Sequence, residues 1–592
     1  MTTGSLRRLR TLAAATVLAA ATLSCDDQAP PGNEVPATTA TPIKHVIIVV
    51  GENHSFDNLF GTYQPRAGQT IDNLLSKGIV REDGSPGAHF DRAQQLRGLD
   101  TDTYQADTAS TGAYETLPRP STTAGIGLPQ WVPDMRFPAN LPNGPYQISK
   151  YAPYSAYTGD PVHDFFQMWQ GVDGGRMDKF VWVEETSSGE GSISMGFYNM
   201  NPYHDVAGNS NSGDAPIFKA LADRYAISDN FHQAVMGGTG VNFQALVSGD
   251  AAFYTNTNLD GTAAVPFEQE LEDPDPAAGT NNSYTRSGAY VSCADDTAPG
   301  IAAVREQLRR QGVERSNCAP GHYYLITNRL MYWDQTSSRP EVLGLGPDSY
   351  TLPPQSNPTI ADVMTAHGIS WKYYSGGRGD DPVVFASSVD GVPVPFQIYC
   401  GLCDPLTGYS SIMQNPAEEA KLQSYGAFLD DVHHGTVPAV SFVRPFSALT
   451  GHPGFSTGDL YEQFLQDLID QVQSDPELWA STAIFITTDE GGGYYDSGYI
   501  QALDFFGDGT RIPLIAVSPF AKRGYVDHTY YDHVSLLKFI ERNWGLPTIS
   551  GRSRDTLPNP IASPDNPYQP LNGPAIGDLM SLFSFRDAHK GT

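Results

Sequence analysis

Basic residues are in short supply here, with 36 Lys and Arg against 66 Asp and Glu and a formal charge of −30. A chain this negative repels nucleic acid and anionic membrane surfaces, which argues against a polyanion-binding role. Anionic chemistry on such a chain needs local positive charge, and a bound metal ion is one source of it. Past the N-terminus there is no second apolar run of membrane-spanning length, and no internal repeat. Cysteine is scarce as well, at five residues. Cys400-Gly-Leu-Cys403 has the spacing of a redox pair or of half a zinc site. The sequence contains no second CxxC, and no thioredoxin-like strand and helix surround this one.

What is present is a chain of 592 residues that is 40% apolar, with 58 Gly and 45 Pro. This is a globular, loop-rich composition, long enough for a large core in one big domain or a few ordinary ones. Arg7, Arg8 and Arg10 precede the apolar, Ala-rich run Thr11 to Leu23, which is too short to cross a bilayer. Residues 1–25 are expected to be an export signal. Cys25, followed by Asp26-Asp27, marks a lipoprotein-type cleavage site, with a plain signal peptide as the alternative. The Pro-, Thr- and Ala-rich stretch 26–42 is expected to be a flexible tether. Export leaves Cys293, Cys318, Cys400 and Cys403 in an oxidising setting, with pairing expected as 293–318 and 400–403.

Four apolar runs have the continuous character of buried parallel strands: His45–Val50, Ala439–Val443, Ala483–Thr487 and Ile512–Val517. Helical periodicity lies between them at Asp459–Val472 and at Asp532–Trp544, where Asp532 is placed as the cap. The alternation predicts an α/β fold with a mostly parallel central sheet flanked by helices, spanning 43–558. The Gly-, Asn- and Pro-rich region 251–358 is expected to be an irregular cap near the site. A tail follows over 559–592, with a short helix near Ile576–Phe583.

Two of the strands stop in polar clusters. The first runs into Gly51-Glu52-Asn53-His54-Ser55-Phe56-Asp57, the second into Thr488-Asp489-Glu490-Gly491-Gly492-Gly493. Ligands of open α/β sheets sit beyond the carboxyl ends of strands. Adjacent carboxylates there repel unless a cation lies between them. Glu52, Asn53, Asp489 and Glu490 form an all-oxygen donor set, which suits one hard divalent ion such as Mg²⁺, Mn²⁺ or Ca²⁺ better than Zn²⁺. Capping or solvation of each acidic pair is the alternative. A third element, Met236-Gly-Gly-Thr239-Gly-Val-Asn242, offers a hydroxyl in a tight turn, or is an ordinary Gly-rich loop.

The segment Ile43-Lys-His-Val-Ile-Ile-Val-Val-Gly-Glu-Asn-His-Ser-Phe-Asp-Asn-Leu-Phe-Gly-Thr-Tyr63 resembles the opening motif of the bacterial phospholipase C and acid phosphatase A superfamily. His163 with Gly174–Val181, the Gly237-Gly-Thr239 loop, Asp489–Asp496, Gly507–Pro519 and Tyr530–Glu541 follow in the same order, over roughly residues 43 to 550. The resemblance implies an alkaline-phosphatase-like fold, with Glu52, Asn53, Asp489, Glu490 and Thr239 at the metal. It makes Thr239 the nucleophile, and His163 and His452 contacts of the phosphate or leaving group. Asn242 is then a candidate donor to a phosphoryl oxygen, and His54 a weaker candidate for the site. Where acid phosphatases of this group carry a His pair after Phe-Gln, this chain has Ile398-Tyr399 after Phe396-Gln397.

The implied activity is hydrolysis of a phosphoric ester through a phosphothreonine. A phosphomonoesterase is the first reading and a phospholipase C the alternative, with a non-catalytic lipid-anchored binding protein a more distant third. The expected partner is the phosphate-ester substrate, with no nucleic acid, and a membrane only through a lipid on Cys25. The expected location is the cell envelope or the outside. Nothing in the sequence bears on oligomeric state.

Overall fold

The computed structural model describes residues 38–122, 132–255, 289–334, 341–342, 352–379, 381, 388–389, 392–393 and 399–585. The expected signal segment, Cys25, most of the tether, much of the region 251–358, and Ile398 lie outside the described residues.

At the centre is an eight-stranded sheet. In chain order its strands are β1 (His45–Gly51), β2 (Ala226–Ser228), β3 (Trp371–Ser375), β4 (Leu422–Ser424), β5 (Val440–Arg444), β6 (Thr482–Thr488), β7 (Leu514–Val517) and β8 (Tyr525–Asp527). Their spatial order is β4-β3-β5-β1-β6-β7-β2-β8. All neighbours are parallel except at β7, which runs against both β6 and β2. The fold is the expected α/β class with a mostly parallel sheet.

The expectation of a parallel strand over Ile512–Val517 is corrected: β7 is antiparallel. Its apolar run is continuous because both faces are covered, and burial on two faces leaves the same pattern in either direction. The chain leaves β6 at Thr488, stays in loops over 489–513 with no helical crossover, and re-enters the sheet from the same end. A parallel neighbour would have required a crossover.

The helices α1 (Phe56–Phe60), α2 (Thr239–Ser248), α3 (Gly458–Ser474) and α4 (Val534–Trp544) pack around this sheet. Helix α3 buries Tyr461, Phe464, Leu465, Leu468, Ile469 and Val472 on one stripe, as its 3.6-residue pattern demands. The Asp532 carboxylate accepts from Val534 N at 2.8 Å and Ser535 N at 3.3 Å, satisfying amides at the start of α4. The expected helix over Ile576–Phe583 is only a 3₁₀ turn at Met580–Leu582, with Phe583 packed against Phe485 and Phe539. No helix among the described residues is long and apolar enough to cross a membrane.

In the centre of the sheet, β1 and β6 pair in register from His45↔Thr482 to Gly51↔Thr488. Their carboxyl ends therefore deliver Glu52 and Asp489 side by side. The loops beyond them are fixed by one buried guanidinium. Arg511 binds Asp496 through Nε at 2.8 Å and Nη2 at 3.0 Å, and reaches Asp57 Oδ2 at 3.3 Å. Its Nη1 donates to the carbonyls of Asp72 and Asp229. Removing one side of a buried ion-pair network strands the other charges in low dielectric, at roughly 3–5 kcal/mol. Arg511→Ala is therefore expected to lower unfolding stability by about that much in urea titrations. A loss below about 1 kcal/mol would show that water replaces the guanidinium.

Candidate active site

Thr239 opens α2, directly after Gly238, and is almost wholly buried. The glycines around it are required by close approach: a Cβ on Gly237 would meet the Ile326 carbonyl oxygen at 2.2 Å, and one on Gly240 the Thr327 carbonyl oxygen at 3.1 Å. The Thr239 hydroxyl lies near enough to the Asp489 carboxylate to favour its charged form. It also sits at the positive end of the α2 dipole, where developing negative charge is favoured.

Asn53 and Asp489 meet at the ends of β1 and β6, and Glu490 follows Asp489 in the chain. Asn53 adopts φ of 62°, a left-handed conformation that a non-glycine residue holds only under constraint. The constraint is visible: its backbone N–H donates to Asp489 Oδ1 at 3.3 Å, and its Nδ2 contacts His452 Nε2 at 3.0 Å. Because His452 Nδ1 donates to the Pro453 carbonyl at 2.6 Å, its Nε2 accepts from Asn53, which turns Asn53 Oδ1 the other way. Asn53 Oδ1 and Asp489 Oδ2 are buried without a hydrogen bond, and Glu490 Oε1 has only the His163 ring nitrogen beside it, at 3.2 Å. Burial pushes Asp489 and Glu490 well above the usual carboxylate range, Glu52 raises Asp489 further, and Asp489 and Asp160 raise Glu490 further. All-oxygen and mutually repelling, with two of the three oxygens unbonded, these groups fit a hard divalent cation.

Glu52 is arranged differently. Its Oε1 pairs with Arg444 Nη2 at 2.7 Å and its Oε2 accepts from Thr450 at 3.3 Å. Burial raises its carboxyl, but Arg444, His452 and Thr450 outweigh that and hold it below its ordinary value. The sulfur of Cys403 lies 3.1 Å from the same Oε1. Both expected disulfides are present, Cys293–Cys318 and Cys400–Cys403.

Above the site is a cavity of about 490 Å³ lined by Glu52, Thr239, Asn328, Leu330, Tyr399, Cys400, Gly401, Leu402, Cys403, Arg444, Ser447, His452 and Phe455. His452 stacks on Phe455 at 3.8 Å and faces this cavity. His163 donates through Nδ1 to the Pro161 carbonyl and presents Nε2 to Glu490 Oε1 at 3.2 Å. Of the Ile398-Tyr399 pair, Tyr399 does reach the cavity, hydrogen-bonded to Asp404 at 3.0 Å.

Two of the candidates make structural contacts here. The Asn242 amide does not face a ligand: its Nδ2 donates to the carbonyls of Val235, Gly237 and Gly238, and its Oδ1 accepts from Val235 N. It braces the turn that presents Thr239. His54 is buried against Asn58 Oδ1 and the Gly451 carbonyl, with burial lowering its pKa to about 4. It holds the loop that carries His452.

Sequence reasoning missed Arg444, Asn328 and His533. Arg444 had a signal, a cation at the carboxyl end of a buried apolar strand. Asn328 accepts from Gly240 N at 2.7 Å and lies in a stretch without periodicity. His533, its pKa lowered to about 4 by burial, ties the two motifs together by accepting from Ala234 N and donating to the Thr488 carbonyl.

Residues 43–547 match the family described as Phosphoesterase family. The chain is 24% identical to the hemolytic phospholipase C of Pseudomonas aeruginosa, over 93% of this chain and 57% of that one. It is 22% identical to phospholipase C B of Mycobacterium tuberculosis, over 92% and 78%. A phosphate-repressible acid phosphatase of Penicillium chrysogenum is 24% identical over 41% and 54%. The chain thus spans little more than half the length of the Pseudomonas protein. A Vibrio parahaemolyticus protein of the alkaline phosphatase superfamily aligns over 57% of this chain and 63% of its own, at 9% identity and a TM-score of 0.26, too slight a likeness to argue from.

The bracing role of Asn242 separates from a substrate-binding role by experiment. Asn242→Asp would set a carboxylate against three carbonyls. It is expected to cost roughly 1–3 kcal/mol of stability by chemical denaturation, with activity falling in step. Unchanged stability with a raised KM alone would instead place Asn242 on the substrate.

Proposed function

Because this chain belongs to the Phosphoesterase family, we propose that it hydrolyses phosphoric esters, with Thr239 as the nucleophile. The observation that carries this reading is the Thr239 hydroxyl, held at a helix N-terminus beside Asp489 and open to the same cavity as Glu52, Arg444 and His452. Asn53, Asp489 and Glu490, with Glu52 beside them, are the residues that would hold one divalent ion, of the Mg²⁺, Mn²⁺ or Ca²⁺ type. When bound, such an ion supplies a lowered hydroxyl pKa and neutralises charge on phosphoryl oxygens.

The chain's own groups account for the rest. Asp489 orients the Thr239 oxygen and is placed to take its proton. The oxygen attacks phosphorus, the bond to the leaving alcohol breaks, and a phosphothreonine remains. The α2 N-terminus and Arg444 face the negative charge that spreads over the equatorial oxygens. His452, at the cavity wall, gives a proton to the leaving oxygen only when Nε2 is itself protonated and the Asn53 amide has turned away from it. Water attacking the phosphothreonine then returns the hydroxyl and releases phosphate. His163 keeps Glu490 oriented.

The phosphomonoesterase reading rests on the acid phosphatase relative and on the segments that resemble that branch. The phospholipase C reading has its own support: relatives of that name align along 92–93% of the chain, and Leu330, Leu402, Tyr399 and Phe455 give the cavity an apolar side. Export is supported by the N-terminal segment and by two disulfides, which persist in oxidising compartments. A lipid on Cys25 would hold the protein at a membrane.

Three measurements bear on this proposal. Thr239→Ala is expected to lower kcat at least about a thousand-fold with the unfolding midpoint unchanged, while Thr239→Ser keeps substantial activity; near-normal turnover by the alanine variant would remove Thr239 from the chemistry. Exhaustive chelation should abolish activity and one equivalent of a divalent ion restore it, so full activity in protein shown to be metal-free would refute the ion. Paired assays on aryl and alkyl monoesters and on a phosphatidylcholine diester decide the ester class. In those assays His452→Ala should slow alkyl esters roughly 10²–10⁴-fold and aryl esters much less, whereas equal losses would make His452 a binding residue.

A further inference from the structure

The Cys400–Cys403 pair has the spacing of half a zinc site, and the sequence offers no other half. In the fold, a third donor stands beside it: Glu52 Oε1, with donor atoms of Glu52, Cys400 and Cys403 all within 4.8 Å of one another. The two cysteines bracket one tight turn, in which Cys403 N donates to the Cys400 carbonyl at 3.2 Å. Both line the cavity that holds Thr239, with Cys403 buried and Cys400 half-buried.

We infer that this disulfide is the closed form of a second, thiophilic metal site, which reduction opens to Zn²⁺ on Cys400, Cys403 and Glu52. As a disulfide, the sulfurs offer no thiolate and ligate poorly. A dithiol reductant opens the pair. One of its sulfurs attacks Cys400, the more accessible side, the Cys400–Cys403 bond breaks, and Cys403 leaves as a thiolate that takes up a proton. The reductant's second sulfur then displaces Cys400, leaving the protein dithiol and a cyclic disulfide of the reductant. Zn²⁺ binding releases the two thiol protons.

Geometry and charge both suit that ion. A tetrahedral zinc with Zn–S of about 2.3 Å and Zn–O of about 2.0–2.2 Å holds its ligand atoms roughly 3.5–4 Å apart, within reach of small side-chain rotations here. Two thiolates and one carboxylate carry three negative charges. Zn²⁺ and the Arg444 guanidinium, 2.7 Å from Glu52, carry three positive ones. Three protein ligands leave the fourth position open to the cavity, as in an exchangeable rather than a closed structural site. The hard site proposed above and this soft one share Glu52, so filling the soft one withdraws it from the other. That effect on turnover rests on the proposed hydrolysis; the metal site itself does not.

The test uses the full chain, reduced with a phosphine, desalted without oxygen and dialysed against Zn²⁺. Reduced protein is expected to hold one more Zn²⁺ than oxidised protein. Co²⁺ in its place should show a sulfur-to-metal charge-transfer band. Cys400→Ser with Cys403→Ser should remove that increment while still reporting any contribution from the other cysteines. Glu52→Gln should weaken the cobalt band's titration at least tenfold with an unchanged circular dichroism spectrum. Equal zinc counts in reduced wild type and the double serine variant would overturn the inference, as would a cobalt affinity indifferent to Glu52→Gln. Neither readout needs turnover, so a protein that hydrolyses nothing can still pass or fail.

Discussion

Arg511 is fully buried and binds Asp57 and Asp496 at once, and everything at the sheet's carboxyl edge depends on that clamp. Asp57 lies five residues beyond Glu52, and Asp496 lies six beyond Glu490. The two polar loops that leave β1 and β6 therefore end on a common cation. Burial and the nearby Asp496 push the Asp57 carboxyl up to about 6, against the pull of Arg511. Three charged groups at close quarters leave little freedom for either loop to drift. Within that restrained loop Asn53 holds its left-handed conformation, with its amide oxygen buried and without a hydrogen bond.

The loop that carries Thr239 is tied in by separate bonds. Gln233 accepts from Gly491 N at 2.9 Å and donates to the Val235 carbonyl at 2.7 Å, while His533 joins Ala234 to Thr488. Arg554 reaches the Ala234 carbonyl, Asp504 and Asp508. A chain of formal charge −30 thus places its guanidinium groups where they matter most: Arg511 and Arg554 inside the supporting loops, Arg444 on the cavity wall.

Much of this was legible in the sequence because it is carried by contiguous patterns. The runs His45–Val50 and Ala483–Thr487 announced two buried strands, and the polar residues ending each announced the site. The direction of β7 was not legible, since burial of both faces erases the alternation that distinguishes strand environments. The contacts of Asn242 were not legible because a side-chain amide serves a backbone turn as readily as a ligand, and the turn formed by Val235, Gly237 and Gly238 appears only in the fold. Glu52 kept its place at the strand end, but its partner Arg444 is 392 residues away, and no local pattern links the two. The same holds for Cys403, which meets Glu52 only in the fold.

The account stands or falls on a covalent phosphoryl group at Thr239. Acid quenching of the enzyme during steady turnover, followed by peptide mass analysis, reads this directly. The account predicts one added phosphoryl group on the peptide carrying Thr239, absent without substrate and absent in Thr239→Ala. An unmodified Thr239 peptide under conditions of confirmed turnover, or the phosphoryl group on another residue, would contradict it.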